Sequence, residues 1–550
     1  MSYCVFCGII SRETEAEAEA EESFSFCNRD RKEIDFEEWE ESPIKEATSI
    51  TSLKGQFFCF SGSAMKNKKG RRGRNKATCN EDAACKANGD RLSRLPNDLL
   101  LNILERVETF DALRACILSK RMLQLPAMLS QIVIDVGSLV PDPDSSREFG
   151  IRDVARVNGA VAKITDNILW MRSPGITIRK LNVRMVLRHY DVLSVGKSFA
   201  HAMATQKVQK AEIEFMTEKA CADCTPADLV DFAKCFNTIL ADCLDAFAGL
   251  TRLWLQNMRF GEGDIPNVLT TCKRLKSLRL SYCDSGIRSV LCLEHAQLVD
   301  LEIDYGTFEK VVLNWLPELQ QVTYNNWCSY DDEPLSFGFV PQLSKLSLAK
   351  IAVCSDRCLE LSQLLANFLS ISELHLNFRS EKIWVLPECP KLLTPVLGKL
   401  RLVNLENLPE GCDIAWTMFI LEAAPVLKEL CITVWDHWCI MVTDKEHRKA
   451  SGYCDNRNVE WKPSVSIFKH KNLAKLTIYG FQADDNFIRY VRRVMVAAVN
   501  MEEISLHDRM VWKCCSDSDP KTRYPRTDEE RQHVIEELGM DLHSVVHFRS

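Results

Sequence analysis

The sequence predicts an α/β solenoid preceded by a small all-α helical module and, before that, a disordered N-terminal tail. Three observations carry this prediction. One apolar pattern recurs at a regular interval from about residue 175 to residue 506. A densely apolar stretch at 95–129 precedes it, and residues 1–89 differ in composition from both. At 550 residues, 46% hydrophobic and 26% charged, the chain has globular composition and enough length for two or three cores.

The tail, 1–89, is built of charge blocks. Glu13 to Glu22 alternates Glu with Ala, a second acidic cluster surrounds Trp39, and a basic block carries Lys66, Lys68, Lys69, Arg71, Arg72, Arg74 and Lys76. Such segments bury too little apolar surface to offset the entropy of ordering, so disorder is expected. The basic block fits a nuclear localisation signal or a contact with an acidic surface as well as it fits a solvated linker. Cys4-Val5-Phe6-Cys7 is a CxxC, but zinc needs four ligands and Cys27 and Cys59 offer no matching pair, so no metal site is expected.

The helical module begins at Leu95-Pro96-Asn97-Asp98, a proline and capping-type residues at a helix start. Leu99, Leu100, Leu101, Ile103, Leu104 and Val107 then cover an arc of roughly 200° on one short helix. A surface helix needs a narrower stripe, so this one should be covered on more than one side. Further helical runs carry Phe110, Leu113, Cys116, Ile117 and Leu118, then Met122, Leu123, Leu125 and Leu129. Three helices this short and this apolar call for a partner.

The solenoid is read from an apolar residue, two variable, an apolar, one variable, and an apolar. It appears at Leu250/Leu253/Leu255, Leu275/Leu278/Leu280, Leu298/Leu301/Ile303, Leu319/Val322/Tyr324 and Leu343/Leu346/Leu348. It continues at Ile371/Leu374/Leu376, Leu397/Leu400/Leu402, Leu427/Leu430/Ile432, Leu473/Leu476/Ile478 and Met501/Ile504/Leu506, with weaker copies at Ile178/Leu181/Val183 and Val208/Ala211/Ile213. Most neighbouring copies lie about 21–30 residues apart, the leucine-rich-repeat period. The last two apolar residues of a copy share one face of a strand and the residue between them takes the other. Leu346 and Leu348 should therefore be buried and Ser347 should face the concave surface. No repeat can bury its leucines alone, so the copies stack into a parallel sheet. Between Leu430 and Leu476 an insertion with Trp435, His437, Trp438, His447 and Trp461 is read as a loop on one face.

Asp90 to Leu129, with "DRLSRLPNDLLLNILERV" and "ACILSKRM", resembles the F-box of plant F-box/leucine-rich-repeat proteins. Within 471–510, "KNLAKLTIYGF" and "FIRYVRRVMVAAVNMEEISLH" resemble the FBD segment that often closes such proteins. The resemblance divides the remainder into an F-box at 90–135, leucine-rich repeats at 136–466 and FBD-like C-terminal repeats with a cap at 467–550. It implies the substrate-recognition subunit of an SCF-type ubiquitin ligase. In that family the F-box docks on a Skp-type adaptor, which joins a cullin–RING ligase, while the repeats bind a protein target. The adaptor contacts so implied are Leu95, Pro96, Leu99, Ile103, Leu104, Leu113, Leu118, Ser119, Lys120 and Arg121. Met122 stands where the family usually has tryptophan, and it buries less area and specifies geometry less well. The alternative is a stand-alone leucine-rich scaffold whose N-terminal helices only cap the first repeat. The two differ in whether the chain itself covers Leu99, Leu100 and Ile103. A small-molecule-gated receptor is a third class, for which no residue indicates a pocket.

Target contacts are expected on the concave side, where Trp254, Arg279, Glu302, His375 and Arg401 sit between paired apolar residues and Tyr479 flanks such a pair. A net charge of −7 disfavours a nucleic-acid partner, and no apolar run of about 18 residues suggests a membrane helix. The first ten residues lack the basic start of a secretory signal, so a cytoplasmic or nuclear protein with reduced thiols is expected. No phosphate loop, nucleophile elbow or H-E-x-x-H motif is present; neither enzymatic activity nor a cofactor is expected.

Overall fold

The computed structural model describes residues 95–549 except 118, 140–150, 173–174, 287, 328–333, 352–357, 367–370, 436–458, 460, 462–467, 510–522 and 540–544. The tail with its CxxC and basic block, Leu118, and His437, Trp438 and His447 of the insertion lie outside the described residues.

Pro96 fixes the entry to helix α1 (Asn97–Leu104), which is followed by α2 (Thr109–Ile117) and a 3-10 turn at Met122–Met128. The four-residue spacing puts Leu100 and Leu104 on the inner face of α1, where they pack with Ala112, Cys116, Met122, Leu125 and Leu129. Met122 is buried here. Leu99 and Ile103, also four apart, lie on the other face, and Val107 is exposed just beyond the end of the helix.

Parallel strands then pair in chain order from Gln131–Asp135 and Ile178–Val186 through to Glu503–His507 and Val546–Arg549, making a sheet of fourteen described strands. Gln131–Asp135, placed in the helical module by the sequence reading, is the first rung of this sheet. Leu346 stands in register with Val322 and Leu374, and Leu348 with Tyr324 and Leu376. Both leucines are buried and Ser347, flanked by Thr323 and His375, is partly exposed, as strand alternation requires. One continuous core runs from Phe110 to Val546. Helices α3 (Ile151–Trp170), α4 (His189–Thr205) and α5 (Pro226–Asp242) cover the first repeats.

Two features depart from the expected pattern. In the repeat assigned to Leu397/Leu400/Leu402, the buried strand pair is Val403 and Leu405, which stand against Leu374 and Leu376. Both frames are apolar in sequence. The helix Pro390–Leu397 takes Leu397 into its last turn, which moves the strand three residues on. Between Leu278 and Leu346 the segments returning from strand to strand are too short for helices. Val290–Glu294, Lys310–Trp315 and Leu335–Phe339 form a second, three-stranded parallel sheet on the opposite side of the core.

Candidate functional site

Two surfaces carry the features a binding protein needs. The first is the outer face of the helical module. Leu99 is 53% exposed, Ile103 42% and Val107 49%, and Ile117 and Leu123 are exposed as well. Scattered exposed apolar residues are ordinary, but these three, two on α1 and Val107 just past it, make an apolar stripe that the described residues leave uncovered. Arg121 braces the module, donating from Nη2 to the Leu95 carbonyl at 2.8 Å and to Asn97 Oδ1 at 3.0 Å.

The module is joined to the solenoid by polar and apolar contacts together. Glu105 Oε1 accepts from the Ser130 backbone N–H and hydroxyl, both at 2.7 Å, and its Oε2 pairs with Arg179 at 2.6 Å. Burial works to raise the Glu105 pKa, but the bonds from Ser130 and the Arg179 charge outweigh it and hold the carboxyl below its ordinary value. Arg172, itself buried, donates to the Leu129 carbonyl at 2.8 Å and to Gln206 at 2.9 Å. Thr109 accepts from the Val133 N–H, and Phe110 enters the solenoid core.

The second surface is the exposed face of the main sheet. The Arg279 guanidinium lies 4.2 Å from the centre of the Trp254 ring and 3.2 Å from a Glu302 carboxylate oxygen. Trp254 Nε1 donates to Ser281 at 3.0 Å, and Arg184 approaches the same ring from the neighbouring side. At the strand ends, Tyr282 and Tyr305 stack at 4.6 Å, and Arg379 reaches Tyr305 and Asn326. Burial pushes the carboxyls of Glu302 and Asp304 up, against the pull of Arg279. Further along, His375 meets Asn404 at 3.4 Å.

A family profile described as "At1g61320/AtMIF1, LRR domain" matches residues 233–537, and one for the F-box domain matches 92–130. The repeat match alone covers more than half of the chain. This chain belongs to the At1g61320/AtMIF1 leucine-rich-repeat family. No curated protein matches the sequence. Among solved structures, the leucine-rich repeat-containing protein LegL7 from Legionella pneumophila aligns at 14% identity over 66% of this chain and 100% of that one. The TM-score of that alignment is 0.29. The FBD resemblance of 471–510 has no separate support; those residues continue the same sheet.

In this F-box/leucine-rich-repeat protein both domain types are interaction modules, typically without catalytic activity, and their combination supports a substrate-recognition adaptor role in SCF-type ligases in general. F-box domains bind Skp1-type adaptors and leucine-rich repeats bind protein targets. No described helix is long and apolar enough to cross a membrane. Of the residues named from sequence, Pro96, Leu99, Ile103, Lys120 and Arg121 are exposed, while Leu95, Leu113 and Ser119 are partly so. Leu104 is a correction: it is 4% exposed and belongs to the module's own core, because it shares an inner face with Leu100. Trp254, Arg279 and Glu302 come together in one cluster, and His375 stands apart with Asn404. Arg401 is the second correction. It immediately precedes its strand, and Asn404 is the residue in register with His375. The tyrosine pair was missed, because it lies beyond the repeating triplet of apolar positions that made the strands legible.

Proposed function

We propose that this chain is the substrate-recognition subunit of an SCF-type cullin–RING ubiquitin ligase, working in the cytoplasm or nucleus. Residues 90–130 would dock on a Skp-type adaptor, the solenoid would select a protein target, and 1–89 would serve as a tail. No residue of this chain needs to do chemistry. Holding a target beside a charged ubiquitin-conjugating enzyme raises its effective concentration there. The observation that carries this reading is the uncovered stripe Leu99–Ile103–Val107, in the segment where F-box resemblance puts the adaptor contacts. Pro96, Lys120 and Arg121 lie exposed in the same module and Leu95, Leu113 and Ser119 complete the proposed rim.

Leu99→Ala combined with Ile103→Ala tests it. Both side chains are exposed, so the fold should survive, while loss of two apolar anchors should weaken adaptor co-purification by at least about tenfold. Adaptor capture at the wild-type level would overturn the assignment. A scaffold reading, with the helical module as a cap only, is favoured by the insertion of Phe110 into the solenoid core, and it predicts no adaptor capture from either protein.

A further inference from the structure

Displaced from the concave face, Arg401 takes part in a different arrangement. Ser372, Arg401 and Lys428 each immediately precede a strand, on consecutive rungs of the sheet. The Ser372 carbonyl accepts the N–H of Arg401 at 2.8 Å and of Leu402 at 3.1 Å, and the Arg401 carbonyl likewise accepts from Lys428 and Glu429. This doubled ladder holds the backbones about 4.8 Å apart and fixes where the side chains start. Together with Gly398, Lys399, Val426 and Asn472 they line an open groove of about 640 Å³.

The polar groups of this groove divide into two kinds. The neutral ones are engaged: Asn472 Nδ2 donates to the Pro425 carbonyl at 2.8 Å, and Ser372 Oγ to the Ser344 carbonyl at 3.2 Å. The cationic ones are not. Lys399, Arg401 and Lys428 are all exposed, and none makes an ion pair or side-chain hydrogen bond with any described residue. Three like charges around one concavity repel one another, and an anion placed between them relieves that. The guanidinium fork of Arg401 can hold two oxygens of one carboxylate or phosphate, with the two lysines as flanking point charges. The positive region is short. One residue into the strands stand the carboxylates of Glu373 and Glu429, the latter 3.9 Å from Lys475. A polyanionic strand of nucleic acid needs a longer basic track, whereas a peptide bearing one or two oxyanions fits within this one.

We infer that this rim of the solenoid binds an oxyanion-bearing peptide segment, phosphorylated or carboxylate-rich, through Lys399, Arg401 and Lys428. The inference rests on the target-recognition reading only for the use such a site would have.

Fluorescence anisotropy on the full-length chain tests it with four labelled probes of equal length. They are a phosphoserine peptide, a glutamate-rich peptide, a neutral serine/glutamine peptide and a single-stranded RNA. One or both acidic peptides should bind at least about tenfold more tightly than the neutral one, and which of them does identifies the source of the oxyanion. That binding should weaken as salt rises from about 50 to about 200 mM. Arg401→Ala with Lys428→Ala should abolish the preference, whereas Lys391→Ala, exposed on the neighbouring helix, should not. Equal binding of all peptides, an unchanged preference in the double variant, or RNA bound more tightly than either acidic peptide would overturn the proposal. Adaptor capture plays no part in these measurements, so this inference and the ligase reading fail separately.

Discussion

Glu105 shows how one side chain can join two domains. It accepts two bonds from Ser130, just before the first strand, and pairs with Arg179 on the second, so a carboxylate inside the helical module holds the start of the sheet. Its pKa is depressed on folding, so its contribution is fully present above the ordinary carboxylate value near 4.5 and is lost as pH falls through the lower folded value. Buried His295 and His470 also disfavour acid. Each has its Nε2 against a backbone carbonyl, of Cys272 and Ala424 respectively, and burial lowers their pKa values. Their cost sets in earlier, as pH drops below about 6.5. Glu105→Gln should therefore destabilise the protein by about 1.5–3 kcal/mol at pH 7 and flatten only the part of the acid-unfolding curve below about pH 4.5. Thermal unfolding of both proteins across pH 3–7 checks this. A constant difference between them at every pH would refute it.

At the scale of single elements, the repeat strands were legible because burial of two alternate apolar residues on a strand leaves a mark in any sequence. The helix α1 stripe was legible for a related reason, since six apolar residues cannot share one inner face. Position was harder where two frames were equally apolar, as at Leu400/Leu402 against Val403/Leu405. The helix ending at Leu397 decided between them, and that is a matter of packing. The three-stranded sheet was not legible: its strands are as long as many in the main sheet, but no recurring apolar triplet marks them. Gly338, in its strand Leu335–Phe339, has no room for a side chain. A Cβ there would run into the Asn314 carbonyl of the neighbouring strand, while a Cβ on Gly263 would meet nothing within 4 Å. Gly338→Ala should cost about 1–3 kcal/mol and Gly263→Ala well under 1 kcal/mol, read from denaturant unfolding. Equal effects would mean that the strands of this sheet can separate freely.

At the scale of the whole molecule, the helical module and the solenoid share a core through Phe110, which is only 5% exposed. Phe110→Ala should cost about 3–5 kcal/mol. It should also let limited proteolysis part the module from the repeats, where the unaltered protein releases no such fragment. An unchanged digestion pattern would show that the polar contacts of Glu105 and Arg172 suffice alone. The second sheet has a different kind of consequence, for curvature. A helix is about 10 Å wide, whereas adjacent strands lie about 4.8 Å apart. Repeats backed by helices are therefore splayed on their outer side and bend the array into an arc. Between Leu278 and Leu346 strands back strands, both sides advance by the same step, and nothing forces a bend. The span from Leu278 to Leu346 should therefore curve less than the helix-backed repeats on either side of it, with the Trp254–Arg279 cluster at its start and the Arg401 rim beyond its end. A target bridging both must match the length of that span.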